Sequence, residues 1–106
     1  MKKVYVVVPV QNKTDDEVSR RREELLELAG GYLKGAVMMT NTNHDYENLT
    51  PLEELSENLK DIAYSDYVLV ADGYKEEFDS KVEALCALNY QKHILLEDNN
   101  NLEEVT

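Results

Sequence analysis

Residues 65–96 read SDYVLVADGYKEEFDSKVEALCALNYQKHILL, and this stretch decides the fold. The run Tyr67-Val68-Leu69-Val70-Ala71 ends abruptly at Asp72-Gly73. A short acidic loop follows, then a helical pattern carrying Glu83, then a second run, His93-Ile94-Leu95-Leu96. Short continuous apolar runs of this kind suit strands covered on both faces of a parallel sheet. Strand, acidic turn, helix and strand make one βαβ unit. In open α/β sheets ligands bind outside the carboxyl ends of the strands, and Asp72 occupies such an end.

Working outward, Lys3–Val10 (KVYVVVPV) is rich in β-branched residues and reads as a buried strand. Pro9 falls near its end, where a missing backbone donor costs least. Thr14-Asp15-Asp16-Glu17 has capping-box spacing and opens a helix with the apolar stripe Val18, Leu25, Leu26, Leu28 and Ala29. Gly30-Gly31 is expected to stop that helix through a left-handed cap. Gly35–Thr40 reads as a second strand and Asn41–Asn48 as a polar loop. Thr50-Pro51-Leu52-Glu53 opens a second helix, with Thr50 as cap, Pro51 at the first helical position and Glu53 closing the box.

The order β-α-β-α-β-α-β implies a parallel sheet with helices on both faces. The expectation is one α/β domain over residues 1–97, doubly wound and flavodoxin-like, with four strands in the order 2-1-3-4. The ends Val10-Gln11 and Asp72-Gly73 then lie side by side at the switch point. Residues 98–106 read as a polar tail, either disordered or forming a short helix through Leu102.

Composition narrows the function. Asp and Glu number 22 against 11 Lys and Arg, a formal net charge of −11. A duplex-binding protein needs a cationic face. The one basic cluster, Arg20-Arg21-Arg22, is followed at once by Glu23, Glu24 and Glu27. General nucleic-acid binding is therefore not expected, and a neutral ligand such as a nucleoside is easier to accommodate than a polyphosphate. No run approaches the ~18 apolar residues of a membrane span, so no membrane association is expected. The single cysteine, Cys86, cannot form an intrachain disulfide, and the chain reads as cytoplasmic. His44 and His93 stand far apart, no cluster has metal-ligand spacing, and Pro9–Lys13 is no glycine-rich phosphate loop. No metal or cofactor is expected.

The candidate site residues cluster at strand ends. Asp72 is placed to accept hydrogen bonds from a sugar or base, or is simply the polar half of an Asp-Gly turn. Glu83 reads as a nucleophile or general acid/base kept ionised by the helix dipole, or as the last member of a capping box Ser80-Lys81-Val82-Glu83. Asp79 makes a third carboxylate, and glycosidic-bond chemistry uses carboxylates in pairs. Tyr5 can orient a carboxylate, and Gln11 and Asn12 can read a base. Arg22 joins the apolar stripe of the first helix, where it either reaches a ligand or snorkels.

These residues resemble those of the nucleoside 2-deoxyribosyltransferase-like superfamily, in particular its small bacterial and phage branch. Lys3-Val4-Tyr5-Val6-Val7-Val8-Pro9 matches the opening strand, and Ser65-Asp66-Tyr67 through Asp72-Gly73-Tyr74 matches the end of a helix, a strand and its turn. Glu83-Ala84 and Asn89-Tyr90-Gln91-Lys92 match the later helix and turn, so the likeness spans about residues 3–96. It implies cleavage or transfer across the N-glycosidic bond of a nucleoside or nucleotide. Glu83 would be the nucleophile, Tyr5 its orienting partner and Asp72 a carboxylate on the sugar or base. Gly73, Tyr74 and Asp79 would join Gln11, Asn12 and Arg22 around the ligand. It also implies a homo-oligomer that completes its sites across subunit contacts.

Phe78–Val82 carries no glycine where that superfamily has a glycine-containing segment. This motivates an alternative, a non-catalytic module on the same fold that binds a nucleotide or a protein.

Overall fold

The computed structural model of the chain describes residues 2–30, 33, 35–39, 49–99 and 101–105. Its elements in chain order are β1 (Lys3–Val7), α1 (Asp15–Leu28), β2 (Val37–Met38), α2 (Pro51–Ala63), β3 (Tyr67–Val70), a 3-10 turn (Tyr74–Glu76), α3 (Phe78–Asn89), β4 (His93–Asp98) and β5 (Asn101–Val105). The sheet has five strands, ordered β2-β1-β3-β4-β5. The first four run parallel and β5 pairs antiparallel with β4.

The expected four-strand layout is therefore corrected by one strand. Residues expected as a tail or short helix form β5, paired from Ile94↔Val105 to Asp98↔Asn101. Asn99 takes a φ of 49° in the connection, a left-handed conformation that asparagine tolerates and tight hairpins require.

Alternation along β1 divides the core between two layers. Val4, Val6 and Val8 face α1 and pack with Leu25, Ala29, Leu69 and Leu95. Tyr5 and Val7 face α2 and α3 and pack with Ile62, Val68, Val70, Ala84, Ala87 and Ile94. Leu25, Leu69 and Leu95 are essentially inaccessible to water. Each fully buried leucine is stabilising by roughly 1.5–3 kcal/mol.

Local chemistry sets the element ends. Both capping boxes form: the hydroxyls of Thr14 and Thr50 accept from the amides of Glu17 and Glu53, whose carboxylates return to the cap amides. β1 stops at Val7 rather than at Val10, because Pro9 lacks a donor and the amides of Val10 and Gln11 turn toward the Glu77 carboxylate. β2 is shorter than Gly35–Thr40, since Gly35 lies at φ 77° and cannot continue a strand. Thr40, the loop Asn41–Asn48 and Gly31 of the expected glycine cap lie outside the described residues. Gly30 is not left-handed; the cap residue of α1 is Ala29 at φ −83°.

Two long-range ties fix the βαβ unit. The Asp66 carboxylate accepts from the Lys3 amide at 2.8 Å, while the Asp66 amide donates to the Lys3 carbonyl at 2.7 Å. Lys92 Nζ donates to the carbonyls of Ala63 and Ser65 at 2.8 and 2.9 Å, closing the end of α2. A cation there also complements the helix dipole.

Candidate functional site

The carboxyl edge of the sheet gathers three glutamates, each with a different partner. Glu83 lies in the second turn of α3, beside Ala84, on the face that packs against β1. Tyr5 projects from the middle of β1 onto the same face. The two meet: the Tyr5 hydroxyl donates to Glu83 Oε1 at 2.7 Å, across 78 residues of sequence. Asn58, on α2 one turn before Ile62, hydrogen bonds to the same carboxyl.

Burial pushes the Glu83 carboxyl up from its ordinary value of 4.5 to about 7. The Tyr5 hydrogen bond, the Arg22 charge and the Asn58 hydrogen bond pull it down, and the Asp79 charge pushes it up. Desolvation wins, since neutral donors stabilise a carboxylate less than water does when the group is only 6 % exposed. The helix dipole was expected to keep Glu83 ionised; its influence falls off after the first turn, and burial reverses the outcome. Tyr5 is itself raised well above its ordinary 10, by burial first and then by the neighbouring Glu83 charge.

The alternative reading of Glu83 as a capping residue fails. α3 starts at Phe78, its cap position is Glu77 with no side-chain cap bond, and the Glu83 carboxyl is turned to Tyr5 instead. Asp79 stands one turn before Glu83 on α3, half-buried, and acts on it through charge. Arg22, half-buried on α1, acts on both Glu83 and Tyr5 through charge.

Asp72 is placed differently. Its side chain is exposed, and its backbone N–H donates to Glu97 Oε1 at 2.9 Å. Gly73 follows at φ 87°, the left-handed position that makes this Asp-Gly turn tight. Tyr74 is half-buried in the 3-10 turn, and Gln11 and Asn12 are exposed beyond β1. The switch-point ends are joined by Glu77, whose Oε2 accepts from the amides of Val10 and Gln11 at 2.8 and 2.9 Å.

Sequence reasoning missed Asn58, Glu77 and Glu97. Asn58 had a signal: it falls three residues after Leu55 and four before Ile62, a polar residue on an apolar face. Glu97 had one too, since it continues the alternation Leu95-Leu96-Glu97 onto a buried face. Glu77 had none, being one acid among several in a loop.

Two surface hollows lie elsewhere, one along α2 between Leu52 and Ala63, the other between the end of α1 and Ala36. Among the described residues, no group of three or more His, Cys, Asp or Glu side chains is arranged to hold a metal ion. Among them, too, no helix is long and apolar enough to cross a membrane.

No protein-family model matches the chain, and no curated protein matches it.

Proposed function

We propose that this chain handles a nucleoside or nucleotide at the carboxyl edge of its sheet, and that it cleaves or transfers across an N-glycosidic bond with Glu83 as nucleophile. The observation that carries this reading is the buried Tyr5–Glu83 pair, a carboxyl poised near neutrality and held by one phenol at 2.7 Å. The resemblance of the Tyr5, Asp72–Tyr74 and Glu83 segments to the nucleoside 2-deoxyribosyltransferase-like superfamily supports it.

In this reading the Glu83 carboxylate attacks the anomeric carbon. The C–N electron pair leaves with the base, which takes up a proton, and a glycosyl ester forms on Glu83. Water or a second base then attacks the same carbon and returns the carboxylate. Tyr5 holds one carboxyl oxygen so that the other faces the sugar. The departing base takes its proton from solvent, Asp79 is a further acidic residue of the site, and Asp72 contacts the sugar or base. Incubation with a panel of nucleosides, deoxynucleosides and their monophosphates should release free base, and Glu83→Ala should abolish that release. Equal release by the variant would end the proposal.

A second reading has its own support. Glu83 is only 6 % exposed, so a ligand has little direct access to it in this arrangement. The chain would then bind a nucleotide, or a basic protein partner through its −11 charge, without chemistry. Under that reading nucleotides raise the melting temperature while no base appears.

Self-association belongs to the same proposal. Leu52, Phe78, Leu85 and Leu88 are large apolar residues about half to three-quarters exposed on α2 and α3, a surface suited to a second copy. Sedimentation at micromolar concentration should show a species larger than 12.2 kDa; a clean monomer would remove this part.

A further inference from the structure

We propose that Glu77 is a built-in anion that closes the carboxyl end of β1 to phosphate-bearing ligands, so that this edge selects uncharged ones. The geometry is specific. The successive amides of Val10 and Gln11 converge on one oxygen, Glu77 Oε2, at 2.8 and 2.9 Å. The left-handed Asn12, at φ 62°, bends the loop, and the Lys13 amide closes the turn on the Val10 carbonyl at 3.1 Å. The other carboxyl oxygen, Glu77 Oε1, accepts from Ser80 Oγ at 3.3 Å, and Ser80 is 1 % exposed.

Converging backbone amides in a turn form a cradle for an anion. At the end of the first strand of an α/β sheet, such amides are where a phosphate would be bound. Here the chain supplies the anion itself. A carboxylate hydrogen-bonded to amides is held by charge-assisted bonds, stronger than neutral ones. It is also tethered at the start of α3, so it competes at high effective concentration. An incoming phosphate must displace Glu77, forfeit the Ser80 contact and remain beside a like charge, on a chain already at −11. A neutral ribosyl or base edge meets none of these costs.

The assignment rests on the glycosidic reading only for the ligand's being a nucleoside; the amide–carboxylate contact stands without it. The test follows the Val10 and Gln11 amide resonances of the full chain during titration with inorganic phosphate. Wild type should show no saturable shift at these two positions. Glu77→Ser should gain one, with phosphate held at least about tenfold more tightly once two amides are released and one like charge is gone. Glu77→Gln keeps the size and the acceptor but loses the charge, and should gain a weaker response; it carries the test if Glu77→Ser does not fold. A saturable wild-type shift at these amides, or a folded variant that gains none, overturns the proposal. A second arm compares a nucleoside with its 5′-monophosphate by thermal shift, with the nucleoside favoured in wild type and the preference narrowed in Glu77→Ser. The phosphate arm behaving as expected while no nucleoside binds would uphold this assignment and end the glycosidic reading.

Discussion

Among the described residues, the two faces of the sheet each bury one glutamate, and both are 6 % exposed. On the α1 face, Glu97 at the end of β4 receives the Arg21 guanidinium and the Asp72 amide on the same oxygen, Oε1. On the opposite face, Glu83 is hydrogen-bonded by a phenol and an amide, feels the Asp79 and Arg22 charges in opposite senses, and its carboxyl rises to about 7 through burial. The residue type and the depth are the same, so burial alone does not decide what a carboxylate is for. The partner does. A cation matched to Glu97 makes a structural tie that fixes the Asp72 turn. Around Glu83 the hydrogen-bond donors are a phenol and an amide, the Arg22 and Asp79 charges oppose one another, and burial leaves a group that exchanges its proton near physiological pH, the property a general acid/base or a regulated nucleophile needs.

Breaking the ion pair should have the largest effect. Arg21→Ala leaves Glu97 buried with only one amide, and should cost about 3–4 kcal/mol in urea unfolding. The low end applies because Arg21 is itself 29 % exposed. Replacing both partners, Arg21→Met with Glu97→Met, should recover most of the loss; a double variant as unstable as the single one would show that the pair does more than neutralise itself.

Glu83→Gln should move stability the other way, and only at higher pH. The folded chain holds the Glu83 proton to about pH 7, while the unfolded chain releases it near 4.5. This carboxyl's stabilising contribution is therefore full below pH 4.5, is lost as pH rises to about 7 and is constant beyond. The shift corresponds to roughly 3–3.5 kcal/mol. Glu83→Gln should match wild type near pH 4 and exceed it by that amount near pH 8, in thermal melts across the range. Parallel curves for the two proteins would contradict the contrast between the faces.

The smallest effect tests the phenol. Tyr5→Phe removes a donor that lowers the Glu83 carboxyl, so the Glu83 titration midpoint should rise further and stability at pH 8 should fall by about 1 kcal/mol. Carboxyl carbon chemical shifts would read the midpoint directly, and a downward movement would mean that Tyr5 is not the partner that matters.

The sequence made some of this legible and hid the rest for physical reasons. Thr14 and Thr50 announce their helices because a capping box is a local pattern, complete within four residues. The runs 67–71 and 93–96 announce strands because burial on both faces excludes polar residues. Asn101–Val105 announces nothing: it is an outer strand with Leu102 and Val105 half-buried between exposed acids, so its pattern is that of a solvated tail. The Tyr5–Glu83 contact was reachable only through the resemblance, since nothing local joins residues 78 apart. Glu77 was invisible because its role lies in two backbone amides of another loop, and backbone donors leave no trace in side-chain composition.

β5 also governs how the molecule opens. Leu102 lies opposite Glu97 and packs onto the α1-side core, so the carboxylate that pins the Asp72 turn is sheltered by the outermost, most solvated strand. Peeling that hairpin would wet Glu97 and loosen its hold on the Asp72 amide. Opening at this periphery should therefore reach the Asp72 end of β3 before the fold as a whole lets go.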